Sequence, residues 1–331
     1  MEGLPKFCTE YSCVATFFCF LFILQLSAQD STDFKYSFEL STDNDAFVAW
    51  QNSDKHYTFG VGMKMAFRPK QFLGLQRLLP KKKNFFIDVL LKSEGYTSTK
   101  KVVLQRELEQ DSISFERPFA GVLYGQLGAN YTFTRSFVKA KLLVGVIGPS
   151  AFARKLQDWI HENITEDGVL DGWEFQIPDQ FIFNLELNGA YDFMPGAKGI
   201  DIYAMGHLRA GNLLIDARPV AGIRLGKFGP LSTASAFGNG VLATNRISEF
   251  YLRSTVSAAF TLFNATAQGN LFDRDFEYAV EDFNQFHTAM SHGIFFRKNR
   301  LSLGFDHVFT FGKSVKGVRH IYGQILLEYS F

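Results

Sequence analysis

The chain has 331 residues, with 34 basic and 33 acidic side chains for a net charge of +1, and 47% of it is hydrophobic. Near-neutral charge excludes a nonspecific nucleic-acid binder or polybasic surface module, which needs a basic excess to hold phosphate, and a mean hydropathy of −0.02 with one long apolar run excludes a helical transporter. Aromatic residues make up 16% of the chain, 37 of them Phe, so the rings must be spread along alternating segments.

The long apolar run is Val14 to Leu24, followed by Leu26-Ser27-Ala28 and then Gln29-Asp30. Such a run is too short to span a bilayer, and the small residues after it resemble a signal-peptidase site. Residues 1–28 therefore read as a signal peptide and 29–331 as a single exported domain; the competing reading is a membrane anchor. The n-region is long for a signal and carries Lys6 against Glu2 and Glu10. Cys8, Cys13 and Cys19 all precede Ala28, so the mature chain has no cysteine for disulfides, thiolate metal sites or nucleophilic catalysis.

Beyond that point the chain alternates. From Tyr57 to Arg68 one face carries Tyr57, Phe59, Val61, Met63, Met65 and Phe67, the other Thr58, Gly60, Gly62, Lys64, Ala66 and Arg68. Phe250 to Leu262, Leu301 to Phe309 and the closing Gln324 to Phe331 repeat the pattern. Period two over segments of about ten residues, apolar on one side and polar or glycine on the other, is the signature of a transmembrane β-barrel. A soluble sandwich or lipocalin-like barrel is the alternative. Exported character, the charges Lys64, Arg253, Asp306 and Glu328 on the would-be lumenal face, and the final Phe331 favour the membrane.

Taken in order, strands are predicted at 34–42, 57–68, 84–92, 118–132, 136–147, 180–192, 199–210, 215–227, 249–263, 286–297, 300–311 and 319–331, about twelve in all. The expected fold is thus an all-β, antiparallel transmembrane barrel. Short turns at Thr134-Arg135, Pro195 to Lys198 and Lys298-Asn299 alternate with long polar connections at 43–56, 93–117, 148–179 and 270–285, as expected when both termini are periplasmic. Two connections, 69–83 and 228–248, are long on the short-turn side.

One loop has helical spacing. From Ser150 to His161, Leu156, Trp159 and Ile160 share one side, Gln157 and His161 stand four apart on a neighbouring face, and Pro149-Ser150 makes a helix entry. A short helix in an extracellular loop is an added part, and added parts often carry function. His161 alone is as well explained as an exposed loop histidine. Asn44-Asp45, beside Asp43, is an oxygen cluster of the kind calcium prefers and equally an ordinary Asx-rich turn. Thr58 opens the second strand as a candidate ligand or an ordinary strand threonine. Glu116-Arg117 reads as a strand entry with an inward ion pair. Simple parity places Asn44 and Asp45 on opposite faces, so a shared site needs irregular backbone there. G-x-S-x-G, Walker, dinucleotide and H-E-x-x-H patterns are missing from the sequence, and no histidine is followed two residues later by Ser, against a serine–histidine barrel hydrolase.

Six motifs in order resemble the lipid A 3′-O-deacylase (LpxR-type) family of outer-membrane barrels. They are Thr42 to Phe47, Asp54 to Gly60, Glu116 to Tyr124, Gly145 to Ala151 continuing through Leu156-Gln157 to His161, Gly172-Trp173-Glu174-Phe175-Gln176, and Gly211-Asn212. The resemblance implies a hydrolase of the outer membrane of a Gram-negative bacterium that removes a 3′-linked acyl chain from lipid A of lipopolysaccharide. It implies His161 as general base, Gln157 as positioner of that histidine or of the substrate, and Asn44, Asp45 and Thr58 as the polar site, with Asn44 and Asp45 holding a divalent cation, calcium in most of the family. Phe59, Phe119 and Glu116 depart from the family's Asn, Tyr and Asp, and the family's loop lysine corresponds to Lys100 or Lys101. A non-enzymatic pore or scaffold, and the same centre acting on glycerophospholipids, are the rival readings.

Overall fold

The computed structural model describes residues 33–48, 57–98, 117–160, 162–163, 172–244, 248–273, 275–280, 282–315 and 317–331. The signal-peptide reading of 1–28, His161, Lys100, Lys101 and Glu116 lie outside them.

Twelve antiparallel strands close into a barrel: β1 (Tyr36–Asn44), β2 (Phe59–Phe67), β3 (Asn84–Tyr96), β4 (Ala120–Thr132), β5 (Ser136–Ile147), β6 (Gln180–Asp192), β7 (Gly199–Gly211), β8 (Leu214–Lys227), β9 (Glu249–Asn264), β10 (Phe286–Lys298), β11 (Leu301–Phe311) and β12 (Arg319–Ser330). Each pairs with its sequence neighbour, and β1 closes the ring on β12 with Asn44 opposite Gly323. Closure satisfies every strand edge, the condition for β-structure in lipid. No helix among the described residues is long and apolar enough to cross a membrane.

The alternation sorts the two faces. Met63, Met65, Val89, Leu91, Leu185 and Leu252 are among the apolar side chains left exposed on the outer wall. Inside, Lys64 meets Glu39 at 2.5 Å, Arg253 meets Asp306 at 2.6 Å and Arg224 meets Asp201 at 2.5 Å. The charges expected in the lumen are there, each facing an opposite charge.

The 228–248 connection is long because it folds back into the barrel. Its two 3-10 turns, Ser235–Phe237 and Gly240–Leu242, are buried as a plug. Lys139 donates to the carbonyls of Phe237 (2.7 Å) and Gly238 (3.0 Å), and Arg253 to that of Ala236 (3.1 Å). The 69–83 connection instead leaves the barrel end and is taken up below.

Three details differ from the alternation. β3 continues four residues past Lys92, to Tyr96, carrying Glu94 and Tyr96 above the membrane span. β2 begins at Phe59, not Tyr57; Tyr57 turns into the lumen, where its hydroxyl donates to Asp43 Oδ2 at 2.8 Å. The predicted helix is α1 (Ala153–Ile160), but its buried side is Ala153 and Gln157 while Trp159 is 55% exposed. Its seat takes a small side chain and a hydrogen-bonded amide at the centre, with Leu156 partly buried beside them and Trp159 left outside.

Candidate active site

The extracellular ends of β1 to β4 carry two environments, one on each side of the same wall. On the lumenal side Asp43 Oδ2 accepts from Tyr57 (2.8 Å) and Lys92 (3.0 Å), and Lys92 also meets Glu94 at 3.0 Å. Glu94 accepts from Tyr96 (2.8 Å) and Tyr124 (3.3 Å). Gly60 makes room for this cluster, since a Cβ there would lie 2.1 Å from the Tyr57 oxygen. Burial, with the neighbouring Asp43 carboxylate adding to it against Lys92, pushes the Tyr57 hydroxyl well up and keeps it a donor. A cavity of about 270 Å³ opens beneath, lined also by Arg209, Asp216 and Lys313.

The lipid-facing side holds the other environment. Phe59, Gly95 and Gly121 are successive cross-strand partners in the outward row that continues into Val61 and Leu127. A Cβ on Gly121 would fall 2.6 Å from Ala153 Cβ, so α1 is seated directly on that glycine, against the outer wall. Phe59, Phe119, Ala153 and Trp173 form one buried cluster with Leu156 packed on it. Gly172, at φ +122°, turns the chain against the Phe119 ring, and the Phe119 and Trp173 rings meet edge to face at 5.4 Å. Both aromatic departures from the family pattern are thus buried packing groups under the helix.

Gln157 stands at the centre of this seat, 1% exposed. Its Oε1 accepts from Trp173 Nε1 at 2.8 Å, and its Nε2 has no partner among the described residues. Asn44 lies opposite Phe59 in the same outward row. At Asp45 the strand gives way to a 3-10 turn, Asp45–Phe47, which supplies the irregular backbone that parity requires, and Asp45 is buried. The Thr58 and Thr97 hydroxyls share a hydrogen bond of 2.7 Å, both side chains buried. Asn44, opposite Phe59, and Gln157, bonded to Trp173 in the cluster that covers Phe59, thus both belong to the lipid-facing side of this end of the barrel, with Asp45 and Thr58 adjoining Asn44 and Phe59 in the chain.

Sequence reasoning missed Trp173, Thr97 and the route taken by Arg117. Trp173 sits in a quoted motif, but nothing in its spacing ties it to Gln157, sixteen positions earlier. Arg117, whose expected ion-pair partner Glu116 lies outside the described residues, also reaches across the barrel mouth to the Thr266 carbonyl (2.7 Å) and hydroxyl (3.0 Å) and stacks over the Tyr96 ring at 4.6 Å. Asn264 caps the one-turn helix Ala265–Gln268 that presents Thr266.

The donors fit a hard cation. Asp45, Asn44 and Thr58 offer only oxygens, with one carboxylate among them, which suits calcium and not a transition metal. Among the described residues no group of three or more His, Cys, Asp or Glu side chains is placed to hold a metal.

A family model described as "Outer membrane protein LpxR" matches residues 14–331, nearly the whole chain. The chain belongs to the LpxR family of outer-membrane proteins. Among solved structures, LpxR from Salmonella typhimurium aligns with a TM-score of 0.69 at 16% identity, covering 89% of this chain and 100% of that one. The autotransporter translocator domain of NalP from Neisseria meningitidis aligns more loosely, with a TM-score of 0.44 at 9% identity over 98% of each chain. A search of curated protein sequences finds no match. As an LpxR-family protein the chain resides in the outer membrane; bacterial barrels of that membrane keep short turns on the periplasmic side and longer loops outside.

Proposed function

We propose that this LpxR-family protein is a lipid A deacylase that hydrolyses a 3′-linked acyl ester from the outer leaflet. The observation that carries the proposal is the location of Gln157. It is buried between α1 and the lipid-facing wall, on the side open to a membrane substrate and not to the lumen. Phe152 and Trp159, 57% and 55% exposed on the same excursion, supply the amphipathic rim expected of a segment at the lipid–water boundary.

In the proposed reaction His161, one helical turn beyond Gln157 in sequence, takes a proton from water as the water oxygen attacks the ester carbonyl carbon. A neutral imidazole with an ordinary pKa of about 6.5 suits that work near neutral pH. The tetrahedral oxyanion collapses to release fatty acid, and the imidazolium returns its proton to the departing sugar oxygen. Gln157, its oxygen held by Trp173, offers its amide nitrogen to the substrate or to the base. Calcium held by Asn44 and Asp45 would supply fixed positive charge for the oxyanion. Thr58 supports this edge through Thr97.

A pore is not favoured, because the plug closes on Lys139, Arg253 and Arg297 inside the lumen. Mass spectrometry of lipid A from cells with and without the protein tests the proposal, loss of one acyl chain being the expected result. His161→Ala should lower the rate by roughly two to four orders of magnitude while the barrel stays folded. Unchanged lipid A together with release of fatty acid from glycerophospholipid would assign the centre to phospholipids instead.

A further inference from the structure

The 69–83 connection begins at the periplasmic end of β2 and turns outward. Ile87, in the same outward row as Val89 and Leu91, is 0% exposed although each of those is 48% exposed. Tyr131, in the row of Leu127, is likewise covered, at 4% against 36%. The cover is this connection: the Phe72 ring packs on Phe67 at 6.3 Å, and the Tyr131 hydroxyl donates to the Leu75 carbonyl at 3.1 Å. It forms a collar folded back on the lipid-facing wall of β2 to β4, at the level of the periplasmic leaflet.

What the collar shows to its surroundings is two-sided. Leu73, Leu78 and Leu79 are 85%, 54% and 42% exposed. Leu73 and Leu79 hold positive φ angles of 48° and 51°, a conformation that costs a β-carbon residue about 1 to 2 kcal/mol and that a merely connecting loop would assign to glycine. Around them the segment 68–83 carries six Arg or Lys side chains and no Asp or Glu, in a chain whose net charge is only +1. Of these, Arg68, Lys70, Arg77, Lys81 and Lys83 are exposed. Exposed leucines ringed by cations in a segment with no acidic side chain of its own, on the outer wall of a membrane barrel, match an acyl layer bounded by anionic head groups.

We propose that this collar is a binding site for anionic glycerophospholipid of the periplasmic leaflet, its leucines among the acyl chains and its cations on the phosphodiester head group. The site stands apart from the extracellular centre and does not depend on what that centre hydrolyses.

Quenching by brominated lipid tests this in the full barrel. Leu78→Trp places a reporter on the collar, far from Trp159 and Trp173, and the parent signal is subtracted. The variant is reconstituted into phosphatidylcholine vesicles containing brominated phosphatidylglycerol or, at equal mole fraction, brominated phosphatidylcholine. Phosphatidylglycerol should be preferred at least about threefold, and the preference should fall toward one in 1 M salt or when Lys81, Lys82 and Lys83 are changed to Gln. Leu73→Trp replaces the reporter if Leu78→Trp loses heat-modifiable mobility. Equal quenching by both lipids, a preference that survives the Gln changes, or no quenching by either lipid would overturn the proposal.

Discussion

Of the long connections that fold back on this barrel, 228–248 and 148–179 lie on opposite sides of the wall and use buried polar groups in opposite ways. The 228–248 plug goes inside, where Arg297 donates to Ser235 at 2.7 Å, Ser235 donates to Glu328 at 3.0 Å, and lysine and arginine side chains from other strands grip plug carbonyls. The 148–179 excursion goes outside, and its central polar side chain, Gln157, is held at one end by Trp173 and keeps its amide nitrogen without a partner among the described residues. A lumen must neutralise its own charges, so a plug there is a structural closure. A polar group buried against the lipid-facing wall has no such need unless something from the membrane meets it. The difference separates a part that holds the barrel from a part that works on its surroundings.

The comparison breaks if removing the cation unfolds the protein. A closed barrel satisfies its backbone strand to strand and needs no ion for that. With one firm carboxylate the Asn44-Asp45 site should hold calcium weakly, at about 10⁻⁴ to 10⁻³ M. EDTA should therefore abolish hydrolysis while heat-modifiable mobility on gels is unchanged, calcium should restore turnover, and Asp45→Ala should abolish that rescue. Full turnover in excess chelator would reduce Asn44-Asp45 to an Asx turn.

A second test moves the outer excursion without touching a polar group. Gly121→Leu puts a side chain where Ala153 now lies, 2.6 Å from the new Cβ. The clash should lift α1 and cost about 1 to 3 kcal/mol, with turnover down about a hundredfold, as expected when a positioned group is displaced by an ångström. Gly125→Leu, two steps along the same outward row with nothing nearer than backbone oxygens at 4.0 Å, is the control and should leave the rate alone.

The pattern of period two made all twelve strands legible, because a barrel wall separates lipid from lumen at every residue. It failed where that separation ends. Lys92, Glu94 and Tyr96 continue β3 above the membrane, where no apolar partner row marks the strand, and so Glu94 read as loop. The plug was visible only as a connection too long for its side, since segments buried by charge contacts from distant strands carry no periodicity of their own. Asn44, Asp45, Thr58 and Gln157 were singled out from motifs; the structure puts Asn44 opposite Phe59 and Gln157 in the cluster that covers that ring. The direction in which α1 faces was not legible: hydrophobicity pointed Trp159 inward, whereas packing on Gly121 selected Ala153 and Gln157.

A smaller effect is expected from Trp173→Phe, which keeps an aromatic ring against Phe119 and removes the hydrogen bond to Gln157. Losing one neutral bond of about 1 kcal/mol should lower kcat about fivefold with KM little changed, if the bond serves to aim the amide. An equal fall in thermal stability with kcat intact would make Trp173 a packing residue alone, and the outer excursion would then resemble the plug.

The smallest effect on turnover should come from the plug, and it sharpens the contrast most. Arg297 and Glu328 are each 1% exposed at the side chain and approach to 3.8 Å, with Ser235 bridging them. Arg297→Met alone leaves the Glu328 carboxylate buried without its cation, a change that costs about 3 to 5 kcal/mol in such pairs. The double variant Arg297→Met, Glu328→Gln removes both charges together and should recover most of that loss, because the desolvation of two ions disappears with their attraction. Unfolding followed by gel mobility against urea reads both. In each variant the hydrolysis rate per folded molecule should stay within about twofold of the parent, since the plug lies at the opposite end of the barrel from α1. A rate that fell with plug stability, and returned in the double variant, would mean that the lumen transmits strain to the outer wall, and the division between the two connections would not hold.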